Sequence, residues 1–176
     1  MNTGESRDTP YAQVQGWQAV RLPYTGGRLS AEVILPPPGT SPTDLSISVL
    51  ENIRRGLDTQ TPKALLLRMP VVDASSTLDL MPYLGDRAPS SLHGGFRGIT
   101  DQQQLVISQA AQQGVLTIDE DGTLAAAVTE MAMAGSAPVE PPFELIVDRP
   151  YLVRIADERT GWPLFFAHVA DPRNEE

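Results

Sequence analysis

Cysteine is absent from all 176 residues, so neither a disulfide framework nor a thiolate metal site is built within this chain. The absence leaves the compartment open, because secreted bacterial proteins often lack cysteine too. Basic charge is scarce: 13 Lys and Arg stand against 22 Asp and Glu, for a formal charge of -9. No cluster of Lys or Arg is long enough to track a phosphate backbone, which excludes nucleic acid and anionic membranes as expected partners. No apolar run approaches the roughly 18 residues of a membrane span. Met1 to Pro10 is polar and lacks the apolar stretch of a signal peptide, so no export signal is read in this chain. Only two histidines occur, His93 in a Gly-rich loop and His168 in an apolar strand. With no cysteine beside them a metal site has little to build on, and neither metal nor cofactor is expected. Nor is an enzyme. Gly26-Gly27 belongs to a hairpin and is not a phosphate cradle, and Ser90-Ser91 sits in a polar loop without a matching base, so no catalytic residue is named.

What remains is a chain that should fold. It is 41% hydrophobic and 20% charged, and its length suits one core or part of a larger one. Two strands, Ala19-Leu22 and Leu29-Leu35, flank Gly26-Gly27, a pair that supplies the positive backbone dihedrals of a hairpin turn. Pro36-Pro37-Pro38-Gly39 ends the second strand. Ser41 then reads as an N-cap, with Pro42 at the first helical position and Asp44 in the first turn. Leu45, Val49, Ile53 and Leu57 recur every four residues on one apolar face, and Gly56 lies where a left-handed cap is expected.

Further on, Ala64 to Val72 has the apolar density of a buried strand, and Asp79 to Leu84 reads as a brief helix. Leu105-Ile107 and Val115-Ile118 read as the two ends of one long strand, and Tyr151-Ile155 and Leu164-Val169 as a closing hairpin around Asp157-Gly161. Several strands and one or two helices predict a strand-dominated α+β architecture rather than a βαβ succession.

Between Ile118 and Tyr151 lies a connection far longer than the usual 4 to 6 or so residues. With a period of two, Thr123, Ala125, Ala127, Thr129, Met131 and Met133 share one face, a graded series of small to larger side chains that a packed sheet accepts. The same Ala run also has high helix propensity, and by composition alone a flexible Ala/Gly/Pro linker fits equally.

These residues carry a resemblance. Asp119 to Ala127 is similar to the serpin hinge pattern E-E-G-T-E-A-A-A-A, Phe96 to Thr100 to that family's F-S-G-I-S, and Leu105 to Ser108 to its L-Y-V-S. Asp148 to Leu152 resembles D-R-P-F-L, and Leu164 to Pro172 resembles L-F-M-G-R-V-V-N-P. Leu22-Pro23-Tyr24 and Leu35-Pro36 also match a pair of family strands. In order and spacing the chain is similar, from about Tyr11 to Pro172, to the C-terminal portion of a bacterial-type serpin.

The resemblance implies a polar segment 1–10 followed by part of a serpin domain over 11–176, with the N-terminal half missing and the reactive-centre loop at about 119–147. It implies a serine-protease inhibitor that acts as a suicide substrate: the target acylates itself on the loop, which then inserts into a sheet and traps the protease. The alternative is a non-inhibitory interaction protein or inactive remnant. Glu120, Asp121, Gly122, Thr123, Leu124, Ala125, Ala126 and Ala127 would form the hinge. Family spacing puts the scissile bond at Ser136-Ala137 when counted forward, and nearer Val139 when counted back. No Lys or Arg occurs from Gly122 to Val147, which favours an elastase-like or subtilisin-like protease as partner. An extracellular location follows from the family alone.

Overall fold

Prolines and glycines cut this chain into short strands, and two separate sets of them gather around different sheets. The structure is a computed structural model that describes residues 2–3, 7–87, 96–99, 105–118 and 143–172. It divides into two compact units, one built from Met1–Val72 and Ile118–Glu176, the other from Asp73–Thr117.

The first unit begins with β1 (Asn2–Thr3), β2 (Arg7–Thr9), β3 (Tyr11–Val14), β4 (Trp17–Pro23) and β5 (Leu29–Leu35). After them come α1 (Ile47–Thr59) and β6 (Lys63–Met69). The chain supplies the second unit with β7 (Val72–Asp79), α2 (Met81–Arg87) and β8 (Ala111–Ile118). Finally β9 (Phe143–Ile146), β10 (Tyr151–Asp157) and β11 (Pro163–Val169) return to the first. This is the strand-dominated α+β architecture expected.

Five strands in the order β11-β10-β5-β4-β3 form an antiparallel sheet. Its register places Ala12, Ala19, Ile34 and Leu152 side by side across four strands. On that row α1 lays Val49, Ile53 and Leu57, and all seven side chains are buried in one cluster. The pleat sends Tyr11, Val20, Val33 and Val153 to the opposite face, where they are buried as well. Such two-sided burial explains why β5 and β10 read as continuous apolar runs and do not alternate cleanly. Toward the β11 edge the cover thins, and Trp162, Leu164 and Phe166 stand exposed.

The second sheet of this unit is centred on β6. Arg68 pairs with Thr3 of β1 and with Ile146 of β9, and Leu65 pairs with Arg7 of β2 and with Phe143 of β9. So β1 and β2 succeed one another along one side of β6, antiparallel, while β9 lies parallel on the other. Residues of the polar segment 1–10 are thus edge strands.

Local chemistry explains where elements depart from the sequence reading. Ser41 caps only a 3-10 turn, Pro42–Asp44, with Asp44 reciprocating in a capping box. The α-helix starts later, capped by Ser46, whose hydroxyl accepts from Val49 N. Gly56 is not a cap: the helix runs on to Thr59, and a Cβ at Gly56 would stand 2.9 Å from the Ala12 Cβ. Its role is close approach of helix to sheet. Pro70 ends β6 at Met69, so the apolar run to Val72 is two strands and not one. The expected helix at Asp79 begins at Met81, whose N donates to Asp79 Oδ1. Of the long strand expected over Leu105 to Ile118 only Ala111–Ile118 forms, residues 105–110 lying outside any strand. Tyr24 O accepts from Gly27 N and Tyr24 N donates to Leu29 O, closing the β4–β5 hairpin with Gly26 and Gly27 at φ of 93° and 66°.

Candidate functional site

The segment singled out by the sequence spans the interval between β8 and β9. The expected hinge residues Glu120, Asp121, Gly122, Thr123, Leu124, Ala125, Ala126 and Ala127, and the scissile-bond candidates Ser136, Ala137 and Val139, lie outside the described residues. The two strands that hold its ends are described, and they differ sharply.

On the N-terminal side, among the described residues, β8 pairs with β7 alone in a two-stranded sheet. Among the described hydrophobic residues of Asp73–Thr117, Leu116 alone is buried, whereas Leu78 and Val115 of the paired strands are 45% and 68% exposed. A two-stranded sheet is marginal in water unless a third strand or a helix covers it. Among the described residues neither β7 nor β8 has a second partner strand.

On the C-terminal side, the anchoring is dense. Phe143, Glu144, Leu145 and Ile146 pair in register with Leu65, Leu66, Leu67 and Arg68 of β6. Val147 N continues the ladder to Arg68 O at 2.8 Å, and Leu145 and Val147 are buried. Arg68 Nε lies 2.7 Å from Glu144 Oε1 across the same strand pair. At the first residue of β9, the Phe143 ring packs on Tyr11 with centroids 5.0 Å apart and planes at 56°, the tilted geometry that aromatic quadrupoles favour. Lys63 Nζ stands 5.2 Å above the Tyr11 ring, a cation–π contact from the start of β6. Gln18 Nε2 donates to the Tyr11 hydroxyl at 3.0 Å. Burial pushes the Tyr11 phenol above its ordinary pKa, and the Gln18 bond opposes it.

Beyond β9, Arg149 Nε donates to Pro36 O at 3.0 Å and so ties the Asp148-Arg149-Pro150 corner to the end of β5. In the same five-stranded sheet Arg21, Glu32 and Arg154 are cross-strand neighbours and form a charge row in which Glu32 and Arg154 are buried and Arg21 is half-buried. The arrangement holds a chain end firmly but assembles no nucleophile, base or oxyanion donors. Among the described residues no three His, Cys, Asp or Glu side chains group as metal ligands, and no helix is long and apolar enough to cross a membrane. His168 stands exposed on β11.

Sequence reasoning missed β9, because the reactive loop was drawn as far as residue 147. The signal was there: Phe143, Leu145 and Val147 alternate with Glu144 and Ile146, the period of a strand. It also missed β7, whose exposed Asp, Ser and Thr residues carry no apolar pattern.

A family model described as "Serpin (serine protease inhibitor)" matches residues 1–172. Among curated proteins the chain is 32% identical over 176 residues to alpha-1-antiproteinase 2 of Equus caballus, covering 98% of this chain and 41% of the relative. It is 27% identical over 175 residues to an uncharacterised serpin-like protein of Thermococcus kodakarensis, covering 97% and 41%. Among solved structures, human glycosylated kallistatin superposes with a TM-score of 0.76 at 26% identity, covering 98% of this chain and 46% of that one. The chain spans about two fifths of the length of the curated relatives it matches.

Proposed function

The chain belongs to the serpin family, and on that premise we propose that it is the C-terminal part of a serine-protease inhibitor whose residues 119–142 are offered to the protease as a substrate. The observation that supports this reading is the placement of the segment. In the chain it follows Ile118, the last residue of a sheet that has two strands among the described residues, and precedes Phe143, the first residue of a strand paired to β6. A segment tied at both ends can enter a protease cleft in extended form, and an open sheet edge is what a strand-forming segment needs to pair with afterwards.

The chemistry belongs to the target. Its serine Oγ attacks the scissile carbonyl, the peptide C–N bond breaks, and the leaving amine takes the proton carried by the protease histidine. The N-terminal side of the segment is then esterified to the protease, while the new amine stays with β9. Trapping requires strand insertion to outrun hydrolysis of that ester. Gly122 supplies backbone freedom for the turn, and Thr123, Ala125 and Ala127 are small enough to slide between strands. Ser136-Ala137, or a bond near Val139, offers a small side chain to the protease pocket, which favours an elastase-like or subtilisin-like partner in an extracellular setting.

A second reading, a non-inhibitory interaction protein or inactive remnant, is favoured by one feature: the sheet beside the segment has two strands among the described residues. One experiment separates them. The chain is incubated with pancreatic elastase, subtilisin and trypsin, then analysed by denaturing electrophoresis and intact mass. A denaturant-resistant adduct with elastase or subtilisin supports the inhibitor. Cleavage between 119 and 142 with no adduct supports the second reading. Absence of any cut in that interval overturns both.

A further inference from the structure

Phe143 is the first residue of β9 and directly follows the undescribed interval 119–142. β9 is a four-residue strand with β6 as its partner, so its hold on the sheet rests on one short ladder. A parallel edge ladder this short is held weakly by backbone bonds alone. Side chains on one face of it reinforce that ladder unequally. Leu145 is buried and serves the core whatever the segment does. Phe143, by contrast, is 40% exposed and contributes little to the core, yet its ring is packed on Tyr11, which in turn lies beneath Lys63. Tyr11 itself is only 3% exposed and belongs to the five-stranded sheet. The stack thus joins the first residue of β9 to both sheets of the unit.

We propose that the Lys63–Tyr11–Phe143 stack is a clasp and that Phe143 is a positioning residue, which sets where the protease-accessible segment ends by preventing β9 from peeling off β6. This rests on the substrate-segment reading above and adds to it the element that limits the segment's C-terminal end. With the clasp closed, β9 stays paired to β6 from Phe143 onward. With it open, the free segment lengthens through Glu144 to Ile146, and the peptide bonds of β9 become cleavable.

The test compares the unmodified chain with Phe143→Ala, Phe143→Leu and Phe143→Tyr. Amide hydrogen exchange is read by mass spectrometry in Glu144–Val147 and, as a reference, in the β5 and β10 core around Val33 and Val153. Limited subtilisin digestion is read in parallel. Loss of an aromatic pair implies roughly three- to tenfold faster exchange at β9 in Phe143→Ala, unchanged exchange in the reference strands, and new cuts between Phe143 and Val147. Phe143→Leu should be intermediate, and Phe143→Tyr should restore both readouts. Unchanged exchange at β9 in Phe143→Ala overturns the proposal. So does equal acceleration in both sheets, which marks a general stability role. If the unmodified chain is never cut within 119–142, the substrate-segment reading fails while the exchange data still decide whether the clasp exists.

Discussion

Arg154 Nη1 donates to Glu32 Oε2 at 2.7 Å across the middle of the five-stranded sheet, with the two side chains 5% and 1% exposed. Arg21 Nη2 reaches the other carboxylate oxygen at 2.9 Å, and Arg154 Nη2 donates to Gly161 O at 2.6 Å. Glu32 therefore serves two guanidinium groups, and Arg154 also holds the β10–β11 turn.

From this follows a large single-site effect. Glu32→Ala leaves Arg154 buried without a counter-charge and should cost about 3–5 kcal/mol in urea unfolding. A loss below about 1 kcal/mol would mean that water or another acceptor replaces the carboxylate.

Tyr151 is fully buried, and its hydroxyl has no hydrogen-bond partner among the described residues. Tyr151→Phe removes an unsatisfied group without changing shape, so it should raise stability by about 1 kcal/mol near neutral pH. Burial also pushes this phenol from 10.0 up to about 12. Because the folded state favours the neutral form, the associated stability is complete below the unfolded value of 10.0 and is lost as pH climbs toward about 12. Alkaline unfolding curves should show a loss over that window that shrinks in Tyr151→Phe.

Asp157 closes the last hairpin by accepting from Thr160 N, Thr160 Oγ1 and Arg159 N on Oδ1 and from Arg28 Nε on Oδ2. The Thr160 backbone bond is the leading cause, followed by Arg28, of a carboxyl held down at about 2 instead of 3.8. Here the charged form is favoured by folding, so the contribution is present above 3.8 and disappears as pH falls through about 2. In Asp157→Asn the thermal midpoint should be lower at pH 6, and its decline between pH 4 and about 2 should be shallower than in the unmodified chain.

Gly56→Ala sets two effects against each other. Alanine is the better helix former by about 1 kcal/mol, but its methyl would meet the Ala12 Cβ at 2.9 Å and force α1 away from the sheet. Overpacking of this kind costs about 1–3 kcal/mol, so a net destabilisation is expected. Ala12→Gly in the same chain should recover part of it, which a double-mutant cycle on denaturation midpoints would show.

Elements with a strong local pattern were legible in the sequence. The four-residue spacing of Val49, Ile53 and Leu57 marked the buried face of α1, Gly26-Gly27 marked a hairpin, and Tyr151 to Ile155 marked a strand. Each follows from side-chain period or backbone freedom, properties that adjacent residues carry themselves. The helix start was misplaced because Ser41 and Ser46 are both competent caps, and only packing of Val49 against the sheet selects the second. Gly56 was misread for a related reason. A glycine near a helix end fits a cap or a close approach equally well, and the choice lies in Ala12, far away in sequence.

The candidate site divides along the same line. The proposed segment at residues 119–142, whose role is a proposal, was readable from motif order and small-residue alternation, which need no partner. What restrains that segment was not, because β7 and β8 carry polar, exposed residues without a period, and Phe143 gains its meaning from Tyr11 and Lys63. By itself, the sequence determined the apolar face of α1, the β4–β5 and β10–β11 hairpins and the family, since these depend on near neighbours and on linear motifs. Tertiary structure alone decided the β6-centred sheet, the pairing of Glu32 with two arginines and the anchoring of β9. Those contacts join residues distant in the chain, and no local preference encodes which distant partner will be there.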